Sequence, residues 1–395
     1  MSTRNVSRRG FLKISSAAGF GALLAACGGA APAAAPTAAS GGGAAPQAPA
    51  AGGSTDQLIA AAKQEGQLTL IALPDDWSNY GEIKKAFSDK YGIKVSTLNP
   101  DGSSQEELEA IKANKDNKGP QAPDVVEVGS VFGPSAQTDG LIQPYKVANW
   151  NDIPDSVKEP SGYWYGDYYG AMSFLVNKDV VKNVPQDWND LLKPEYKSQV
   201  ALSGDPRGSN QAIQSVYAAA IGTGGSLDNA QAGLDFFAKL NQAGNLVPII
   251  AKQASFAKGE TPIQITWDYL ALGAKDALNG NPPADVVIPK SAVFAGYYVQ
   301  AISAYAPHPN AAKLWMEYLY SDDATLLWIK GYNHPFRFDK LMKANRIPAD
   351  VLAKLPPAEV YSKSEFPSPD QLAKAKDLIT KNWDSVVKAD IKKAP

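Results

Sequence analysis

Three sets of residues in this chain have the types and spacing to hold a small solute, and each favours a different one. The first joins acids to aromatic rings: Asp75-Asp76-Trp77 early in the chain and Trp267-Asp268-Tyr269 further on. A carboxylate between aromatic faces suits a cationic group, which is drawn by the opposite charge and by the ring quadrupole together. The second is Arg207, Ser209 and Asn210, where a guanidinium, a cap residue and the free N–H groups of a helix start suit an anion. The third is the pairs Tyr168-Tyr169 and Tyr297-Tyr298, whose phenolates would hold ferric ion if both faced one cleft. A helix end contributes about 0.3–1 kcal/mol, whereas a desolvated cation–aromatic contact reaches about 2 kcal/mol. The acid–aromatic set therefore leads by a small margin, with Asp268, flanked by two rings, its most distinctive member. Each set also has a plainer reading. Asp75, Asp76, Ser209 and Asn210 are good helix caps, Trp77 and Trp267 are good surface plugs, and adjacent tyrosines in a strand point to opposite sides.

The elements that must position these residues follow from apolar patterning. Gln67–Leu73 is a continuous apolar run, as in a buried parallel strand. Ile83, Phe87 and Tyr91 then recur at helical spacing and Gly92 stops the helix. Ile93–Leu98 and Asp124–Val128 are the next strands, with Ser104 and Glu107 as a capping box for the helix between them. A second series begins at Val200–Ser203, passes helices starting near Ser209 and around Leu234–Leu240, and continues with strands at 246–250, 263–267, 285–288 and 297–304. Strands alternating with helices give open α/β sheets. In such sheets ligands lie beyond the carboxyl ends of the strands. That rule selects Asp75, Asp76, Trp77 and Ser130 in the first series, and Arg207, Ser209, Asn210, Trp267, Asp268 and Tyr269 in the second. Tyr168 and Tyr169 lie in the Gly- and Tyr-rich passage between the two.

The N-terminus carries chemistry of another kind. Ser7-Arg8-Arg9-Gly10-Phe11-Leu12-Lys13 is a twin-arginine export motif, and the apolar run from Ile14 ends in Leu24-Ala25-Ala26-Cys27. The run is far short of the roughly 20 residues that span a bilayer. Residues 1–27 are therefore expected to be a cleaved signal, with Cys27 the lipidated residue. Residues 28–54, nearly all Ala, Gly, Pro, Ser and Gln, read as a flexible tether. Removing the signal takes 38 basic against 40 acidic residues to 34 against 40, a net charge of −6. That balance argues against nucleic acid as a partner. Cys27 is the only cysteine, and His308 and His334 are the only histidines. Disulfides and cysteine- or histidine-rich metal sites are thereby excluded, and no cofactor or metal is expected. The chain holds no Gly-x-Ser-x-Gly elbow, no His-Glu-x-x-His helix and no phosphate-binding loop. An exported hydrolase is the rival class, with paired carboxylates or a Ser-His pair as the devices left open to it.

With these landmarks in order, the chain resembles the extracellular solute-binding proteins of ABC importers. Within them it resembles the two-lobed, two-crossover branch of polyamine, ferric iron, thiamine and phosphonate binders. The resemblance rests on the Trp164-Tyr165-Gly166 stretch leading to Leu175-Val176-Asn177-Lys178, and on Pro185–Leu192. It rests also on Ser203–Ser209, Asn310–Trp315 and the Gly331-Tyr332…Pro335 turn. It implies a type II periplasmic binding protein fold of two α/β lobes. Residues 56–172 would begin lobe 1, 173–299 would form lobe 2, and 300–395 would return to lobe 1 and end in helices. It also implies a monomeric, non-enzymatic receptor, tethered outside the cytoplasm, that delivers a solute to a permease with its ATPase subunits. The leading solute is a polyamine or other amine-bearing cation, with ferric iron or a phosphonate as alternatives.

Overall fold

The computed structural model describes residues 54–361 and 364–393. The twin-arginine motif, Cys27 and all but the last residue of the 28–54 segment lie outside the described residues. The fold opens with two parallel strands, β1 (Gln67–Ile71) and β2 (Lys94–Leu98), paired from Gln67↔Lys94 to Ile71↔Leu98. The helix Tyr80–Tyr91 connects them, burying Tyr80, Ile83 and Phe87 on one face and ending at Gly92 in the left-handed conformation. β3 (Val125–Gly129) lies beside β1, where Thr69 N–H donates to Asp124 Oδ2 at 2.7 Å and Asp124 N–H to the Thr69 carbonyl at 2.8 Å.

The other strands are β4 (Ile142–Gln143), β5 (Tyr165–Asn177), β6 (Val200–Leu202), β7 (Ile263–Trp267), β8 (Ala284–Val287), β9 (Ala295–Ser303) and β10 (His334–Pro335). Together with β3 they form one bent sheet in the order β3-β9-β5-β7-β6, with β4 on β9 and β8 and β10 on β5. β5 joins the two halves. Up to Ala171 it pairs with β9, with a register irregularity between Gly166 and Tyr169, and from Met172 onward it pairs with β7. A strand of 13 residues in the middle of the sheet, covered on both faces, is buried along nearly its whole length. All its residues but Tyr169 are buried. The chain is thus a two-lobed α/β protein, entering its second lobe along β5 and returning along β9.

Several local expectations change. Leu246–Ile250 forms no ladder, only single bridges from Leu246 to Val200 and from Ile249 to Lys392; Pro248 in its middle has no N–H to donate. The capping box sits one residue early. Ser103 accepts from Glu106 N–H, and Glu106 reaches back to Ser103 N–H at 2.7 Å. After residue 300, the helix Pro309–Leu319 packs on Thr55–Glu65 in the first lobe. The last helix, Pro369–Val386, instead lays Leu372, Ala375, Ile379 and Trp383 against Asn210–Gly222 and Gln231–Gln242 of the second. Trp383 meets Phe237 there at 5.7 Å between rings. An amphipathic stripe docks wherever an apolar helix face stands uncovered, and chain order did not reveal where that was. No helix among the described residues is long and apolar enough to cross a membrane.

Candidate functional site

A cavity of about 800 Å³ lies between the lobes, at the carboxyl ends of β1, β3 and β6. Its floor is built where the helix Ser104–Ala113 meets β3. Because Ser103 and Glu106 satisfy the helix start, Ser104 and Glu107 are free to reach across. Ser104 Oγ accepts from Gly129 N–H at 3.0 Å, and the Glu107 carboxylate accepts from Glu127 N–H at 3.1 Å. Glu107 and Glu127 both line the cavity, and each is nearly inaccessible to solvent, at 2% and 3% exposure. No hydrogen bond of good geometry reaches either carboxylate oxygen of Glu127, although the Tyr80, Tyr168 and Asp167 side chains are close enough to act on its charge. The Tyr80 and Tyr168 hydroxyls stand near it, and behind it Gln300 Nε2 donates to Asp167 Oδ2 and Tyr80 Oη, both at 2.8 Å. Burial pushes the Glu107, Glu127 and Asp167 carboxyls well above the usual carboxylate range, and the nearness of Asp167 to Glu127 adds to the effect.

One wall is aromatic. The Trp77 ring meets Tyr298 edge-on at 5.3 Å and Tyr269 at 6.2 Å, while its Nε1 donates to Tyr168 Oη at 2.8 Å. Trp267 Nε1 donates to Tyr298 Oη at 3.4 Å from behind. The opposite wall is the start of the helix Asn210–Gly222. There Ser209 caps the helix through Ala212 N–H, and buried Asn210 accepts from Gln214 at 2.7 Å, with its side chain also beside the Tyr298 hydroxyl. Asn210 presses against Gly129 so closely that a Cβ on Gly129 would fall 1.9 Å from Asn210 Cγ. Only glycine permits this approach of the lobes. Six acids line the cavity (Asp76, Asp101, Glu106, Glu107, Glu127 and Asp205) against two lysines. Both lysines are neutralised across the mouth, Lys252 by Asp101 at 2.5 Å and Lys393 by Glu106 at 3.3 Å.

Of the residues selected from the sequence, Asp76, Trp77, Ser209, Asn210 and Tyr298 line the cavity, and the others do not. Asp75 turns to the outside, paired with Lys84 at 2.8 Å. Ser130 is buried off the floor, where its N–H meets the Tyr297 carbonyl at 3.3 Å. Tyr168, Trp267 and Tyr269 form a second row behind the wall. Tyr169 faces the other side of β5, against His334 and Phe336. Strand alternation likewise sends Tyr297 toward Phe336 while Tyr298 lines the cavity. Neither tyrosine pair therefore presents two phenols to one cleft, and burial pushes the phenols of Tyr168 and Tyr298 up, away from the phenolate form. Arg207 is taken up by Asp205, Asp384 and Asp390. Asp268 is fully buried, accepts Ala171 and Tyr269 N–H groups at 2.9 Å each and the Tyr361 hydroxyl, and sits at about 6 because of burial. It pins a helix start to the middle of β5 and does not line this cavity.

The model for bacterial extracellular solute-binding proteins matches residues 121–363. The chain belongs to that family. This solute-binding protein is 27% identical over 63% of its length to the spermidine/putrescine-binding periplasmic protein of Escherichia coli K12, covering 72% of that protein. It is 25% identical to iron uptake protein A1 of Synechocystis, over 64% of this chain and 71% of that one. Among solved structures, the periplasmic binding protein AfuA of Actinobacillus pleuropneumoniae, with fructose-6-phosphate bound, superposes with a TM-score of 0.63. The match covers 82% of this chain and 99% of that one at 22% identity, which speaks for the fold alone.

The residues that sequence reasoning missed are Glu107, Glu127 and Ser104, and Tyr298 had been singled out only as half of an iron-binding pair. One signal was available. Glu127 is the single charge inside Val125-Val126-Glu127-Val128, and a carboxylate in an otherwise apolar buried strand is costly unless it has work to do.

Proposed function

We propose that this solute-binding protein captures an amine-bearing cation, with Glu127 as its principal anchor. The reading is carried by one observation: a buried carboxyl at the floor of the cleft to which its neighbours Tyr80, Tyr168 and Asp167 make no hydrogen bond of good geometry. A carboxyl so weakly paired costs free energy that an ammonium would recover by supplying both charge and N–H donors. Glu107 stands beside it, and the Trp77 and Tyr298 rings supply faces for the carbon chain or the cationic head. The anion reading weakens in proportion. Arg207 is committed elsewhere, and the helix start at Asn210 faces a cavity whose acids outnumber its lysines.

In this reading the solute enters between the lobes, and contacts from both favour the closed form. The closed protein then delivers its cargo to an ABC permease whose ATPase subunits supply the energy, while this chain performs no catalysis. The N-terminal motif supports export by the twin-arginine route, and Cys27 supports lipid anchoring, with the lobes acting as a monomer outside the cytoplasm. Thermal melting with spermidine, putrescine, thiamine, ferric citrate and aminoethylphosphonate tests the solute class. A rise of several degrees with an amine is expected. A rise with the phosphonate alone overturns the reading.

A further inference from the structure

The segment Val387–Lys393 does not simply close the fold; it reaches the cleft. After Trp383 the backbone turns, with Trp383 Nε1 donating to the Ala389 carbonyl at 2.7 Å. The following residues run alongside residues 248–250, where Ile250 N–H donates to the Lys392 carbonyl at 2.7 Å and Lys392 N–H to the Pro248 carbonyl at 3.1 Å. Ile391, 2% exposed, and Lys393 thereby line the same cavity as Glu127 and Trp77. This segment lies beyond the residues that the family model matches.

What holds it there is Arg207. Its Nε and Nη2 grip Asp205 at 2.8–3.0 Å, which fixes the plane of the guanidinium within its own loop. The remaining donors point at the chain end: Nη1 to Asp384 at 3.3 Å, Nη2 to Asp390 at 2.9 Å and to the Ile391 carbonyl at 3.4 Å. A planar five-donor fork can serve a carboxylate in one loop and two more acids elsewhere, where an ammonium cannot. From the segment so held, Lys393 crosses to Glu106 of the first lobe.

We propose that the segment Val387–Lys393 is a wall of the binding cleft, that it sets which solutes fit, and that Arg207 is the positioning residue that holds it. Arg207 thus acts on the ligand through the wall. The proposal rests on the cation reading only for the choice of probe.

Hydrogen exchange and spermidine titration of the full chain test it together, comparing wild type with Arg207→Gln and Arg207→Lys. Arg207→Gln should speed exchange at the Ile250 and Lys392 amides by about ten-fold or more, with amides of β5 unchanged. Spermidine affinity should fall by about five-fold or more at nearly constant melting temperature, and Arg207→Lys, which keeps the charge without the fork, should restore part of both. Unchanged exchange at Ile250 and Lys392 overturns the wall even if spermidine binds normally. Faster exchange with unchanged spermidine affinity overturns its role in the cleft, leaving Arg207 a structural post. Failure of the wild type itself to bind spermidine contradicts the cation reading instead, and the same comparison made with the solute that does bind then decides the wall.

Discussion

At the scale of single residues, burial separates the carboxylates that face a ligand from those that build the protein. Glu107, Glu127 and Asp167 are pushed up by desolvation, so the native state holds protons that the unfolded chain releases. Where the folded form binds more protons, stability falls as pH rises. The ligand-free melting temperature should therefore drop as pH climbs above the ordinary carboxylate range near 4. Glu127→Gln should flatten that slope, because the amide cannot ionise; thermal scans from pH 4 to 8 check both. Asp268 makes the opposite case. Asp268→Ala strands the Ala171 and Tyr269 N–H groups and should cost about 2 kcal/mol or more, measurable by denaturant unfolding. Sequence alone could not tell the two kinds apart. Trp267-Asp268-Tyr269 has the composition of a cation site, yet the position of Asp268 at a helix start turns its carboxylate onto backbone donors. Glu127 looked like an ordinary strand residue, and its meaning depends on Tyr298 and Asp167, which are distant in the chain.

At the scale of elements, legibility follows the range of the forces involved. The strands around residues 67–71, 94–98, 125–129 and 263–267 were readable because their apolar runs are local. The helix ending at Gly92 was readable because a left-handed cap needs glycine. The capping box was misplaced by one residue because Ser103 and Ser104 are both competent caps; the choice is made by Gly129, whose N–H claims Ser104. The last helix was misplaced because its partners are 150 residues away. Gly129 and Gly233 are among the glycines that permit close approaches of elements. At Gly233 an added Cβ would sit 2.0 Å from the Val216 carbonyl oxygen. Gly233→Ala should destabilise the second lobe by about 1–3 kcal/mol, read by urea titration. Gly129→Ala would instead displace Asn210 and hold the lobes apart. Its expected signature is weakened ligand binding with little loss of melting temperature.

At the scale of the whole molecule, the described residues form two lobes that meet over an acidic floor, and the receptor proposed above would add to them an export signal, a lipid on Cys27 and a charge-free leash. The fold class was legible from the alternation of strands and helices. The solute was not, because the cavity draws on residues as far apart as Ala72 and Lys393. Cys27→Ala should release the exported protein from the membrane fraction, since no helix among the described residues crosses a bilayer. Glu127 stands at the centre of the proposed function as the anchor of an amine, and calorimetric titration with spermidine of the wild type and Glu127→Gln tests that role most directly. Removing one partner of a buried charged pair costs about 2–5 kcal/mol. Binding should therefore be clear in the wild type and weaker by about thirty-fold or more in the variant. Equal spermidine affinity in the two proteins, or heat from aminoethylphosphonate and none from the amine, would contradict it.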